Sequence, residues 1–213
     1  MHITRLRPDP RAPDCLIVEV DGARFASVPA DAVRDLGLKA GVTLEREQKE
    51  RLSFLADVEG AKRVALRLLA TRPRSVQEVL RRLRHRGHNP SAAAEVVGRL
   101  ESKGLLDDRA YAEHFARVRG ERGHGRSRLL TDLLAKGVDR RLAERSIDQV
   151  LELEGGDQLA KARAVAEKRA RQLGALPKAK LERRLLAYLA RRGFSGRDVR
   201  DMVGEVVAHT PDR

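Results

Sequence analysis

The hydrophobic pattern of the chain changes period once, near residue 45. Before that point apolar and polar positions alternate. LIVEVDGARFASV, residues 16–28, reads as two strands folded about Asp21-Gly22, a dipeptide suited to a type I′ turn because both central positions need positive φ. In that register Val20 faces Ala23 and Val18 faces Phe25, which places the apolar side chains on one face. PADAVRDLG predicts a short helix that begins near Pro29 and stops at Gly37, and GVTLE at 41–45 a third strand.

From about residue 46 the period lengthens to that of a helix, and one pattern recurs three times. Gly87, Gly137 and Gly193 each follow a basic residue and close an amphipathic segment: VLRRLRHRG, LLTDLLAKG and LLAYLARRG. Eight residues before the glycine stand Val79, Leu129 and Leu185; seven before, Leu80, Leu130 and Leu186; four before, Leu83, Leu133 and Leu189. Beyond it the match continues, with Ala93, Ala143 and Val199 six residues on, Val97, Ile147 and Val203 ten on, and Leu100, Val150 and Val206 thirteen on. These offsets fall on one face of a helix. A further helix precedes each pair: AKRVALRLLA from 61, DDRAYAEHFARVR from 107 and DQLAKARAVAEKRA from 157. The spacing predicts three tandem three-helix repeats, each glycine ending a second helix in the left-handed conformation.

Caps mark the same boundaries. Ser75 with Glu78 is a capping box, Asn89-Pro90 opens the third helix of the first repeat, and Ser195 is expected to do the same in the third repeat. Gly155-Gly156 marks the joint between the second and third repeats. The expected organisation is a small β-containing unit over 1–45, a linker helix and first repeat over 46–106, a second repeat over 107–154, and a third repeat with tail over 155–213. The fold class is mainly α.

Composition agrees with helices packed on aliphatic seams: 35% of the 213 residues are charged, 3% are aromatic, and Trp is absent. The formal net charge is +13, and it is localised. Residues 1–56 carry nine Lys/Arg and nine Asp/Glu, so residues 57–213 hold the whole excess, 35 basic against 22 acidic. Such asymmetry points to a polyanionic partner, either nucleic acid or an acidic protein surface. Cys15 is the only cysteine, which excludes an internal disulfide and suits a reducing cytoplasm. MHITRLRPDP lacks the apolar stretch of a signal peptide, and no run reaches the length of a bilayer span.

Asp107 and Asp108 are the obvious candidates for chemistry in so basic a chain. At the start of a helix an acid accepts bonds from free backbone N–H groups and meets the positive end of the helix dipole, which makes this pair a cap. Tyr111, Phe115 and Val118 then form the buried stripe of that helix. The competing reading is a divalent-metal nuclease site of Asp107, Asp108 and Glu113. Neighbouring helix residues diverge by about 100°, however, and Glu113 is expected to pair with Arg117 one turn on. The six histidines have no zinc-ligand spacing, and neither a hydrolase triad nor a phosphate-binding loop is present. ERGHGRS, 121–127, is glycine-rich and offers backbone N–H groups that could meet a phosphate, but it reads first as a flexible connection between helices. No enzyme, cofactor or metal is expected.

The arginines carry more information. Nine Lys/Arg lie between 62 and 88 against the single acid Glu78, and Arg82 and Arg84 fall away from the Leu80/Leu83 seam. Aromatic residues are too few to stack on bases, so these cations serve phosphates or acidic protein surfaces. Each three-helix element also has the size of a helix-turn-helix. The alternative class is therefore a transcriptional regulator that binds double-stranded DNA, although no residue set singles out a recognition helix.

SVQEVLRRLRHRG, LLDDRAYAEHFARVR, GHGRSRLLTDLLAKGV and RRLLAYLARRGFS together resemble the RecX family of bacterial recombination regulators, over roughly residues 58–207. Leu106 to Ala112, an LDD-x-x-Y-A element, is the most specific part of the match. The resemblance implies a non-enzymatic, cytoplasmic modulator of the RecA recombinase, acting in homologous recombination, DNA repair and the SOS response. It implies an elongated, curved array of three repeats that binds as a monomer in the groove of the RecA filament on single-stranded DNA. There it would limit filament extension, ATP hydrolysis and strand exchange, with double-stranded DNA as a further ligand. From charge and expected exposure, Arg82, Arg84, Arg86, Arg122, Arg126, Arg128, Lys136, Arg191 and Arg192 are the candidate contact residues. Ser75, Glu78, Gly87, Asp107, Asp108, Gly137 and Gly193 are structural caps.

Overall fold

Asp21 and Gly22 have φ values of 49° and 82°, the two positive values that a type I′ turn requires, and the hairpin closes there. A computed structural model describes residues 1–153, 157–174 and 176–210 of the chain. Strands β1 (Ile3–Asp9), β2 (Ala12–Val20) and β3 (Ala23–Pro29) form an antiparallel sheet in that order. Val20 pairs with Ala23 as expected, but Val18 pairs with Ala26 and not with Phe25, because a register shift beside Glu19 leaves Phe25 as the extra residue. One inserted residue reverses the inward face beyond it. Ala26 and Val28 are accordingly buried, while Phe25 is only half-buried.

The third strand comes from Ile3–Asp9, not from GVTLE. Residues 41–44 run beside the start of β1, with Ile3 N–H donating to Val42 O at 2.9 Å and Leu44 N–H to Met1 O at 2.9 Å, but they add only the isolated bridge His2–Thr43. β1 escapes its sequence because its centre, TRLRP, is polar and contains a proline. An edge strand tolerates both. Helix α1 (Ala30–Asp35) follows, and the chain leaves it at Gly37 with φ 63°.

Helix α2 is a single helix over Arg46–Thr71, so the helix expected from 61 and the linker before it are one element. Its first half buries Leu52 in the core of the sheet with Ile3, Val18 and Val28. Its second half buries Val58, Ala61 and Ala65 in the core of the first repeat, with α3 (Val76–His85) and α4 (Pro90–Ser102). One helix therefore belongs to two cores, and together they form the unit Met1–Leu106. Polar contacts reinforce the first joint. Buried Asp9 accepts from Ser27 Oγ at 2.5 Å, Arg11 N–H at 2.9 Å and Arg24 Nη2 at 3.3 Å, and lies 3.8 Å from Arg63 Nη1 of α2. Asp57, also on α2, accepts Asn89 N–H at 2.7 Å and lies 2.6 Å from His88 Nδ1, which fastens the α3–α4 turn.

The unit Asp107–Arg213 contains α5 (Asp108–Glu121), α6 (Arg126–Ala135), α7 (Arg140–Leu153), α8 (Gln158–Leu173), α9 (Lys178–Arg191) and α10 (Arg197–Ala208). The repeated offsets are the repeated cores: Val79/Leu83, Leu129/Leu133 and Leu185/Leu189 are all fully buried, each side chain contributing roughly 1.5–3 kcal/mol. Gly87, Gly137 and Gly193 have φ values of 85°, 84° and 87°. Behind each lies the same pair of bonds. The N–H of His88, Val138 and Phe194 reaches the carbonyl of Leu83, Leu133 and Leu189 at 3.2, 3.1 and 3.0 Å, and each glycine N–H bonds three residues back. This is a Schellman ending, used three times.

Ser75 and Glu78 form both bonds of the capping box, and Asn89 accepts Ser91 N–H at 2.9 Å. Ser195 does not cap α10: that helix starts at Arg197 after Gly196, with no side-chain bond at its cap. The expected joint at Gly155-Gly156 lies outside the described residues.

Candidate polyanion-binding surface

The residue before each repeat glycine is the C-cap of a helix, where unsatisfied carbonyls concentrate partial negative charge. A cation there is locally favourable, which is why Arg86, Lys136 and Arg192 recur at this position. Their surroundings differ. Arg86 is exposed with no carboxylate partner among the described residues. Lys136 lies over the Phe115 ring, 5.9 Å from its centroid. Arg192 stacks on Tyr188 at 4.9 Å and donates through Nη1 to the backbone carbonyls of Arg122 and Gly123 at 2.7 and 3.3 Å.

The nine candidate cations therefore separate into two sets. Arg82 and Arg84 flank the buried Leu83 on the outer side of α3, and with Arg86 they are exposed and lack a carboxylate partner among the described residues. The one acid of that stretch, Glu78, accepts the Ser75 backbone N–H at 3.4 Å and pairs with Arg72 at 3.1 Å. Arg74, Arg81, Arg82 and His85, with Leu68 and Glu78, line an open depression of about 450 Å³ beside this face. Arg122 and Arg191 are likewise exposed without a carboxylate partner among the described residues.

The other four cations are used inside the fold. Arg126 holds Asp148 through two bonds at 2.7 and 2.9 Å, and Arg128 holds Asp132 at 3.1 Å. Lys136 and Arg192 have the ring and carbonyl contacts already described. Helical spacing reveals only the Arg128–Asp132 pair, one turn apart; Asp148, the Phe115 and Tyr188 rings and the carbonyls of Arg122 and Gly123 reach the other three through side-chain placement that spacing along one helix does not record.

The segment 121–127 is not a flexible connection. Gly125 N–H donates to Arg192 O at 2.7 Å, and a Cβ on Gly125 would meet the Gly193 carbonyl at 2.6 Å, so the α5–α6 turn and the α9–α10 turn touch backbone to backbone. His124 is held there with no hydrogen-bond partner for its buried Nδ1 among the described residues. Burial, with Arg192 and Arg119 nearby, pushes its imidazole below the ordinary pKa of 6.5 despite Asp132. This contact joins the second and third repeats.

Asp107 is the N-cap of α5, accepting Arg109 and Ala110 N–H at 2.8 and 3.0 Å, and Asp108 is the first helical residue. Tyr111 and Phe115 are buried, whereas Val118 is half-buried and Ala112, Ala116 and Gly120 complete the inner face. Glu113 pairs with Arg109 at 2.8 Å rather than with Arg117. Among the described residues, no three His, Cys, Asp or Glu are gathered closely enough to hold a metal ion.

Models of the first, second and third three-helix domains of RecX match residues 61–100, 107–147 and 156–203. A regulatory protein RecX from Halorhodospira halophila is 42% identical over 144 residues, covering 67% of this chain and 85% of that protein. The chain belongs to the RecX family. A regulatory protein RecX from Mycobacterium leprae is 33% identical over 159 residues, covering 73% of this chain and 90% of its own. The crystal structure of a regulatory protein RecX superposes with a TM-score of 0.74 at 20% identity, over 96% of this chain and 98% of that one. RecX from Lactobacillus salivarius gives 0.59 at 24% identity, over 71% and 97%. The RecX domains coincide with the three cores: the second half of α2 with α3 and α4, then α5 to α7, then α8 to α10. Among the described residues, no RecX helix here is long and apolar enough to cross a membrane.

Proposed function

We propose that this RecX-family chain inhibits a RecA recombinase by binding, as a cytoplasmic monomer, in the groove of the RecA filament on DNA and limiting filament extension, ATP hydrolysis and strand exchange. The supporting observation is the set of exposed arginines without carboxylate partners among the described residues: Arg82, Arg84 and Arg86 in the first repeat, Arg122 and Arg191 in the later ones. Cations spread over successive repeats of one chain engage a periodic partner through several weak contacts, and the first contact raises the effective concentration for the next. The formal excess of +13 in residues 57–213 gives the repeats in both units an attraction for phosphates and acidic side chains.

The experiment compares binding to RecA-coated single-stranded DNA, to bare single-stranded DNA and to recombinase alone, alongside RecA ATPase and strand exchange. Preference for the coated filament, with ATPase falling at substoichiometric protein, is the expected result. Stimulated ATPase, or equal binding to bare DNA, would overturn the proposal. A strong preference for one duplex sequence over random duplex at several salt concentrations would support a transcriptional regulator in its place.

A further inference from the structure

The arginine face of α3 is not the only candidate interaction surface of the first unit. Between α2 and α4 lies a cleft of about 140 Å³, with Leu66, Val96 and Leu105 among its apolar lining and Lys62, Arg99 and Lys103 around it. Leu66 and Leu105 are 39% and 52% exposed. A volume near 150 Å³ with apolar walls takes one benzene-sized group, so the cleft fits a single large apolar side chain. Leu105 stands just before the cap of α5, and its backbone N–H is already spent on Leu100 O at 2.9 Å. The loop is thus held with its leucine at the rim, although the core of the repeat is complete without it.

The charge around the cleft selects the occupant. Its lining contains three cations and no acid. Lys62 and Arg99 are steadied by Glu59 and Glu95 of their own helices, at 3.2 and 2.9 Å, and neither acid lines the cleft. Lys103, the C-cap of α4, has no carboxylate partner among the described residues. A nucleic-acid backbone would satisfy the cations but leave the apolar floor wet, and a neutral hydrophobic peptide would fill the floor but leave the cations unmatched.

We propose that the α2–α4 cleft is a docking site for an acidic peptide segment of a partner protein, one large apolar side chain inserting among Leu66, Val96 and Leu105 while flanking carboxylates meet Lys62, Arg99 and Lys103. This site is separate from the arginine face of α3, and it stands whether or not that face binds a filament.

The test uses the full chain and a fluorescent peptide with one leucine or phenylalanine flanked on both sides by glutamates, read by polarisation. The same peptide with serine in place of the anchor, and a single-stranded oligonucleotide, serve as competitors. The anchored peptide is expected to bind roughly tenfold or more tightly than the serine peptide. Leu105→Glu, Leu66→Glu and Lys103→Glu should each weaken it several-fold, and the uncharged Leu105→Ser and Leu66→Ser should weaken it while leaving the oligonucleotide's affinity unaltered. Equal binding of the anchored and serine peptides, displacement by the oligonucleotide, or no binding would each overturn the proposal. Circular dichroism separates a folding defect: because both leucines are exposed, Leu66→Glu and Leu105→Glu should melt like the parent. A large fall in Tm for either would mean that the chain itself covers the cleft, and would overturn the proposal as well.

Discussion

Gly193 sits so close to Arg128 that a Cβ placed on it would lie 2.4 Å from the Arg128 backbone nitrogen, whereas a Cβ on Gly87, at the same position of the first repeat, would meet nothing within 4 Å. Both residues have φ near +86° in the same Schellman ending, at 87° and 85°. Gly87→Ala is therefore expected to cost about 1–2 kcal/mol from backbone strain alone, and Gly193→Ala more than about 4 kcal/mol because two turns must separate. Urea unfolding of the two variants measures the difference; equal losses would refute the contact between the repeats.

Arg192→Ala should destabilise the chain by about 1–2 kcal/mol, since it removes charged hydrogen bonds to two carbonyls and a stacking contact with Tyr188. Arg191→Ala, one residue earlier and exposed, should leave the unfolding free energy within about half a kcal/mol of the parent. If both variants lose filament affinity without loss of Tm, Arg192 is a binding residue and not a brace.

Asp9 is held below its ordinary pKa of 3.8 by the Ser27 hydroxyl, the Arg11 N–H, Arg24 and Arg63, against the opposing effect of burial. The sign follows from linkage. A carboxyl with a depressed folded pKa contributes stability that is complete above 3.8 and is lost as pH falls toward and through the folded value. Asp9→Asn should cost about 1–3 kcal/mol near neutral pH, and its deficit should shrink as acid protonates the parent. Denaturant midpoints between about pH 6 and pH 2 follow it.

His124 gives a second dependence, at milder pH. Its folded pKa lies below 6.5, so it is neutral and costs nothing above that value; as pH falls below 6.5 the unfolded chain takes up the proton first and stability declines. A thermal midpoint that drops between about pH 7.5 and pH 5.5, with a flatter profile in His124→Gln, is the expected outcome. Identical slopes in the two proteins would assign the effect elsewhere.

Arg82→Glu with Arg84→Glu should weaken binding to the nucleoprotein filament by about tenfold or more and reduce its salt dependence, while Tm holds. Both side chains are exposed on α3 and make no ion pair among the described residues. A matched loss of Tm and of binding would mean that these arginines stabilise the first repeat.

Much of the fold was legible because the repeat is written in positions that packing constrains strongly. The leucines before each glycine, the glycines themselves and the caps at Ser75, Asn89 and Asp107 all act within one helix and its ends. The strand Ile3–Asp9 was not legible, since an edge strand need not alternate cleanly, and a single bulge beside Glu19 defeated the expected pairing of Val18 with Phe25. The candidate surface was legible only as a count of charges. Which arginines remain open depended on acids that approach from another helix, as Asp148 approaches Arg126, or on carbonyls 70 residues away, as Arg122 O meets Arg192.

By itself, then, the sequence determined the threefold helical repeat, its cores and its endings, because periodicity and capping are local and each repeat restates them. Only the tertiary structure decided that α2 serves two cores, that the glycines at 125 and 193 bring two turns into backbone contact, and which of the candidate cations lack a carboxylate partner among the described residues. Those outcomes depend on distances between segments far apart in the chain, and a side chain's local spacing carries no record of what another helix will place beside it.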